Sequence, residues 1–335
     1  MDKLFRNIMS TLYHINSFQS VYLAFLLLLI ATPMPVYATD SKPNLDCAVT
    51  EDNLMALVST YDSDAYYILQ TQKELGDNLN SYLNKNVRLI QSVDMTVHEE
   101  FHAYSYTHGT YTAKTKRSAY YLGNNKRVTV KQTNVFHTDL ATRHIAKKYR
   151  TFRYKTYVKK GVKLTSNVDA VYGLLNEFSA YYWGMHTMES LYPYLKQESV
   201  STSDWTSFIS SYCNNKNAYA EFYYYTLVYL DYAKRQKPSV YKKIMTNKNF
   251  VTTFYTTQQQ YEKLIKQYEK DLNALSKKYN GSSFKKNYKN GMFYLNGYGQ
   301  GAGDDAYGIL MPQIKSKKYK SIRNDLKKNA KTYSK

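Results

Sequence analysis

VDMTVHEEFHAYSYTHG, residues 93–109, carries three of the chain's seven histidines, and its reading decides how the rest is read. Ile90, Val93, Val97, Phe101 and Tyr104 recur at spacings of three and four. That is the pattern of an amphipathic helix with one apolar stripe turned to a core. It predicts a helix over 87–108, stopped by Gly109. On such a helix, residues four apart lie about 40° from each other, one turn up. His98 and His102 therefore share a face at the edge of the buried stripe, where a cleft can open.

Two imidazoles one turn apart can reach a single ion. Zinc takes neutral imidazole nitrogen at about 2.0–2.1 Å. Glu99 stands about 100° round from His98. That is awkward for a ligand but suits a group that takes a proton from water. HEEFH, residues 98–102, thus follows the HExxH logic of two zinc ligands and a general base. Asp94, one turn before His98, is expected to accept a hydrogen bond from that ring and fix its tautomer. The plainer reading is a surface helix with two solvated histidines. The matching apolar stripe and the nearby carboxylate favour the metal.

A hydrolytic zinc site needs a third protein ligand and one open position. The downstream candidates are His108, His137, His144, Glu177, His186, Glu189 and Glu221. Glu177 is the strongest. It stands in GLLNEFSAYYWG, residues 173–184, among Leu174, Leu175, Phe178, Tyr181, Tyr182 and Trp183. A carboxylate in such company is costly unless it is paired or binds a metal. Gly173, Ala180 and Gly184 fall within about 60° of it on a helix, leaving room for a second helix to approach. A glutamate satisfied by a lysine or tyrosine is the plainer alternative. His108 is six residues past His102, about 120° away. Glu189 and Glu221 are reserves.

HEEFH together with NEFSAYY, residues 176–182, resembles the gluzincin metallopeptidases, in which HExxH on one helix is joined by a glutamate on a later one. The resemblance covers the two helices. It implies a zincin-like fold, with His98, His102 and Glu177 as zinc ligands and Glu99 as base. Two departures stand out. The ligand glutamate follows His102 by 75 positions, far more than in short-spaced members, and the insertion contains a predicted hairpin. Where those members often carry an aspartate four after the glutamate, this chain has Tyr181. The resemblance also implies a Tyr or His that steadies the oxyanion. Tyr181, Tyr157 and His186 are the candidates, with Tyr181 preferred.

Around these two segments the chain reads as a single α+β domain, mainly helical. Residues 50–84 are mostly helical, and 118–132 read as a hairpin around Gly-Asn-Asn. Residues 151–164 alternate aromatic and polar and predict another strand or pair. Helices are expected over 167–195, with Asn167 as N-cap, over 218–236 and over 257–279. The glycine-rich 294–308 reads as a loop. It lacks the strand and lysine-serine signature of a phosphate cradle. A metallopeptidase-like domain is expected over 39–314, followed by a basic tail over 315–335.

Residues 1–38 have the pattern of a secretory leader: Lys3 and Arg6, the apolar VYLAFLLLLI at 21–30, then small residues before Ala38. The apolar run is short for a membrane span of roughly 20 residues and is followed by Pro33 and Pro35. No stable span is expected after its removal. The mature chain is expected outside the cell, free or on the wall. There Cys47 and Cys213 form either one disulfide or two separate buried thiols. A net charge of +20 points to an anionic environment, cell-surface polymers included. The lysines are scattered and no nucleic-acid motif is present, so nucleic acid is not an expected partner. The expected function is zinc-dependent hydrolysis of a peptide or protein substrate. The rival is a secreted non-catalytic binder of anionic wall polymers or a host partner, with a structural or vestigial metal.

Overall fold

The computed structural model describes residues 49–197, 202–280, 286–289, 292–295, 298–301 and 304–333. The leader expected over 1–38 lies outside the described residues, as does Cys47. Cys213 is buried. Two helices come first, α1 (Glu51–Tyr61) and α2 (Ser63–Glu74). Thr50 Oγ1 accepts from Asn53 N at 3.3 Å and Asp62 Oδ1 from Ala65 N at 3.0 Å, so each helix start is capped by a side chain. Helix α3 (Leu89–Thr107) follows, and its apolar stripe from Ile90 to Tyr104 is buried as the periodicity requires.

A three-stranded antiparallel sheet comes next, β1 (Thr110–Tyr111), β2 (Lys116–Tyr121) and β3 (Arg127–Lys131), in that order. Its β2–β3 pair is the expected hairpin. Asn124 and Asn125 take φ of 51° and 58°, the left-handed pair that a tight hairpin turn demands and asparagine tolerates.

The strand expected over 151–164 does not form. The segment holds a π-type turn at Tyr154–Val158, preceded by a short 3-10 turn at Lys147–Tyr149, and the two lie between the one-turn helices α4 (Asp139–Thr142) and α5 (Thr165–Val168). Its carbonyls find side chains instead of a neighbouring strand. Thr142 Oγ1 donates to Val158 O at 2.7 Å, and Ser166 Oγ donates to Tyr157 O at 3.0 Å. Asn167 is not an N-cap either. It lies inside α5, accepting from Asp139 N at 2.8 Å, and the next helix begins after Ala170, whose φ is +53°.

That next helix, α6 (Val171–Ser190), is buried along nearly its whole length. A helix apolar all round belongs at the centre of a core. Around it run α7 (Tyr192–Gln197), α8 (Thr202–Gln236), α9 (Pro238–Met245) and α10 (Lys248–Asn280). Helices α8 and α10 start earlier than expected because Trp205, Phe208, Ile209 and Tyr212, and likewise Phe250, Val251 and Phe254, extend their buried stripes. Part of the glycine-rich 294–308, expected as loop, is strand: β6 (Tyr298–Gly301) and the end of β5 (Met292–Leu295) lie in it, and with β4 (Lys286–Lys289) they form an antiparallel sheet. Helices α11 (Ala306–Lys315) and α12 (Lys320–Tyr333) complete the described chain. The basic tail is therefore part of the fold, held by buried Ile322, Leu326 and Ala330 at four-residue spacing. The architecture is α+β and mainly helical. Among the described residues no helix is long and apolar enough to cross a membrane.

The most extensive helix pairing is α3 on α6. Gly184 makes it possible, because a Cβ there would lie 2.2 Å from Asp94 Oδ1 and 2.8 Å from Asp94 O. Gly184→Ala should force the two helices apart and destabilise the protein by about 3 kcal/mol, the upper range for overpacking a tight core. Urea unfolding of the two proteins measures this, and an unchanged midpoint would refute it.

Candidate metal centre

The α3–α6 contact brings together His98, His102 and Glu177, residues that stand 75 positions apart at their widest gap along the chain. His98 Nε2 and His102 Nε2 are 3.1 Å apart. Glu177 Oε2 lies 3.9 Å from the first and 3.6 Å from the second. One point about 2.1 Å from all three atoms lies inside that triangle, and this is the length of a zinc–imidazole bond. The donor set, two imidazoles and one carboxylate, fits a divalent cation. His98 is buried and its pKa is driven well down, by burial first and then by the positive charges of His102 and Arg153. That keeps its ring neutral and its lone pair available. For His102, burial works downward, but the charge and hydrogen bond of Glu177 prevail and push it up to about 9. Two imidazoles facing one carboxylate thus already demand a cation, here a proton on His102.

Glu99 is half-buried on the adjoining face of α3. Burial raises its pKa, the charge of His102 opposes that, and the carboxylate of Glu177 adds to it. A carboxylate shifted upward by its surroundings is a better proton acceptor than a solvated one. Its electrostatic partners are the two groups a base in this cluster needs beside it.

The tautomer of His102 is set by a residue the sequence did not single out. Asn176 Oδ1 lies 2.5 Å from His102 Nδ1, and Asn176 Nδ2 donates to Ser105 Oγ at 2.8 Å. With its amide oriented by Ser105, Asn176 presents oxygen to the ring, so Nδ1 keeps its proton and Nε2 is the nitrogen that gives its proton up for a ligand bond. Asp94, expected to do this for His98, does something else. Its Oδ2 accepts from Asn215 Nδ2 at 2.7 Å, and Ser211 also donates to it. The close approach at Gly184 holds that carboxylate at the junction with α8, away from the imidazole edge. Burial pushes Asp94 up to about 6, against the pull of those hydrogen bonds and of Arg153. Asn176→Ala should weaken metal binding by about 10–100-fold, the usual effect of removing a partner that orients a ligand. Competition against a chromophoric chelator reads it, and affinity equal to that of the unaltered protein would contradict the assignment.

Tyr181 packs its ring on His98, with centroids 4.3 Å apart, and its hydroxyl lies 2.9 Å from that of Tyr157. The Arg153 guanidinium sits 4.7 Å above the same ring. Arg153 in turn donates to Glu221 Oε2 at 2.7 Å, while Thr151 Oγ1 donates to Glu221 Oε1 at 2.7 Å. The insertion thus supplies a buried layer beneath His98, and Tyr181 belongs to that layer, being only 2% exposed.

The other candidates are placed elsewhere. Glu221 is engaged by Arg153. His186 pairs with Asp62 at 2.9 Å, and Glu189 shares a hydrogen bond with Asp271. His108 ends α3 beside Arg127, His144 stacks on Tyr232, and His137 is exposed. Among the described residues, His98, His102 and Glu177 are the one group of this kind. No family model matches this chain, and no curated protein or solved structure is significantly similar to it.

Proposed function

We propose that this chain is an exported zinc-dependent metallopeptidase, related in its catalytic logic to the gluzincins. The observation that supports this best is the triangle of His98, His102 and Glu177 donor atoms, all within bonding reach of one point. Three protein ligands with one open position distinguish a hydrolytic zinc site from a closed structural one of four. The open side is that of His102, whose side chain is 26% exposed, while those of His98 and Glu177 are 8% and 10% exposed.

When bound, zinc supplies Lewis-acid chemistry, lowering the pKa of a water and polarising a carbonyl. The protein's own groups do the rest. Glu99 accepts one proton from the attacking water as its oxygen bonds to the scissile carbonyl carbon. The same carboxyl then delivers that proton to the amine nitrogen as the C–N bond breaks. Asn176 holds the His102 ring in the tautomer that leaves Nε2 available. The Tyr181 ring, backed by Arg153, fixes the plane of His98. The leader-like residues 1–38 and the charge of +20 support export to an anionic surface.

The test is metal analysis of the purified chain combined with cleavage of a mixed peptide library. About one zinc per chain is expected, with cleavage lost to a chelator and restored by added zinc. A chain that holds zinc at that ratio yet cleaves nothing would instead fit a binding protein with a structural metal. A chain that takes up no divalent ion would refute the peptidase and leave the binding protein with a vestigial site.

A further inference from the structure

The face of α3 that carries the ligands does not end at His102. Its exposure rises turn by turn: His98 is buried, the His102 side chain is 26% exposed, and Tyr106 is 52% exposed. Tyr106 is four residues past His102, so it stands on the same face about 6 Å further along the axis. Its ring stacks on that of Tyr111, with centroids 4.6 Å apart and planes 27° from parallel. Tyr111 is itself 36% exposed, and its hydroxyl is held 2.5 Å from Ser118 Oγ.

This pair is built by the backbone. Between the two tyrosines the chain turns at Gly109, where a Cβ would lie 2.2 Å from Arg117 O and 2.9 Å from the Tyr111 ring. Only glycine lets β1 fold back so tightly that Tyr111 covers Tyr106. Large exposed apolar side chains are scarce among the described residues, namely Leu75 and these two tyrosines. Two of the three stacked together beside the open side of the metal centre form a platform. An exposed ring pair gains most from a further flat or apolar group. The cation paired with Tyr111 across the sheet, Lys116, is matched by Asp169 at 2.7 Å, so the platform is recommended by its rings and not by a net charge.

We propose that Tyr106 and Tyr111 form a substrate subsite that takes an aromatic side chain of the peptide, within two residues of the scissile bond. The position follows from length: one helical turn is about 5.4 Å and an extended peptide advances about 3.3 Å per residue. The proposal rests on the peptidase reading, and binding can be read apart from cleavage.

The experiment uses the zinc-loaded Glu99→Gln protein and short peptides that carry Phe or Ala at one position at a time around the cleaved bond. Phe should tighten binding by about three- to tenfold at one position, the range of one aromatic pair. Tyr106→Ala combined with Tyr111→Ala should abolish that preference at unchanged zinc content, and Tyr106→Phe should keep it. The same preference should appear in kcat/KM of the protein with Glu99 intact. Equal binding of Phe and Ala peptides at every position overturns the subsite, as does a preference that survives the double replacement. Competition by a wall oligosaccharide, with no difference between Phe and Ala peptides, assigns the platform to sugar and also overturns it. A Phe preference in binding with no cleavage by the intact protein supports the subsite and overturns the peptidase reading.

Discussion

Glu99→Gln is expected to reduce peptide hydrolysis by about 10²–10⁴-fold, the contribution of a positioned general base, while zinc stays bound at its original ratio. The two effects separate because of where Glu99 sits. The ligands His98 and His102 share one face of α3, and Glu99 lies about 100° round from His98, outside the His98–His102–Glu177 triangle. Glutamine matches glutamate in size and keeps the half-buried position filled, but it cannot accept the proton. It also removes a charge whose neutral form burial and Glu177 already favour, so the fold should lose nothing by it. Steady-state rates and metal content, taken on the same preparation, provide the check. Retained hydrolysis would remove Glu99 from the mechanism. Lost zinc would make it a structural element of the site instead of its base.

The parts of the site legible in the sequence are those that helical periodicity controls. HEEFH sits in a stripe of Val93, Val97, Phe101 and Tyr104, and the stripe alone says which way both histidines turn. Glu177 was legible for the opposite reason: a carboxylate in an apolar segment needs a partner. Gly184 was legible as a contact residue, because only a small side chain admits α3 so closely. What stayed hidden depends on pairing across distance. Asp94 has the right spacing to serve His98, but Asn215 and Ser211 of α8 claim its carboxylate. Asn176 adjoins Glu177, and nothing local separates a residue that orients a ring from any other polar neighbour of a carboxylate. The 151–164 segment alternates like a strand. Its Arg153 is instead buried against Glu221, 68 residues away, and that ion pair bends the chain into turns that no local propensity predicts.

Glu177→Gln should cost more metal affinity than any other single change discussed, beyond the 10–100-fold that orienting partners contribute. It removes the only anionic donor from the triangle and leaves two neutral rings 3.1 Å apart. The effect on the metal-free fold should be small. Glutamine fills the same space, and His102 loses the strongest of the interactions that raise its pKa, leaving Glu99 and Asn176 against burial. Stability therefore separates the two states. Zinc at a thousandfold over its dissociation constant stabilises a protein that binds only when folded by about 4 kcal/mol. In a chain of this size, that is a rise of about 6 °C in Tm. The unaltered protein should show that rise on adding zinc. The Glu177→Gln protein should start from nearly the same metal-free Tm and show almost none. If both proteins rise equally, Glu177 is not a ligand, and the triangle of donor atoms would be an ion pair between His102 and a buried acid. If the metal-free Tm alone collapses, the carboxylate serves the packing of α3 on α6 and not a cation. The stacked tyrosines at Tyr106 and Tyr111 would then have no hydrolytic centre to serve.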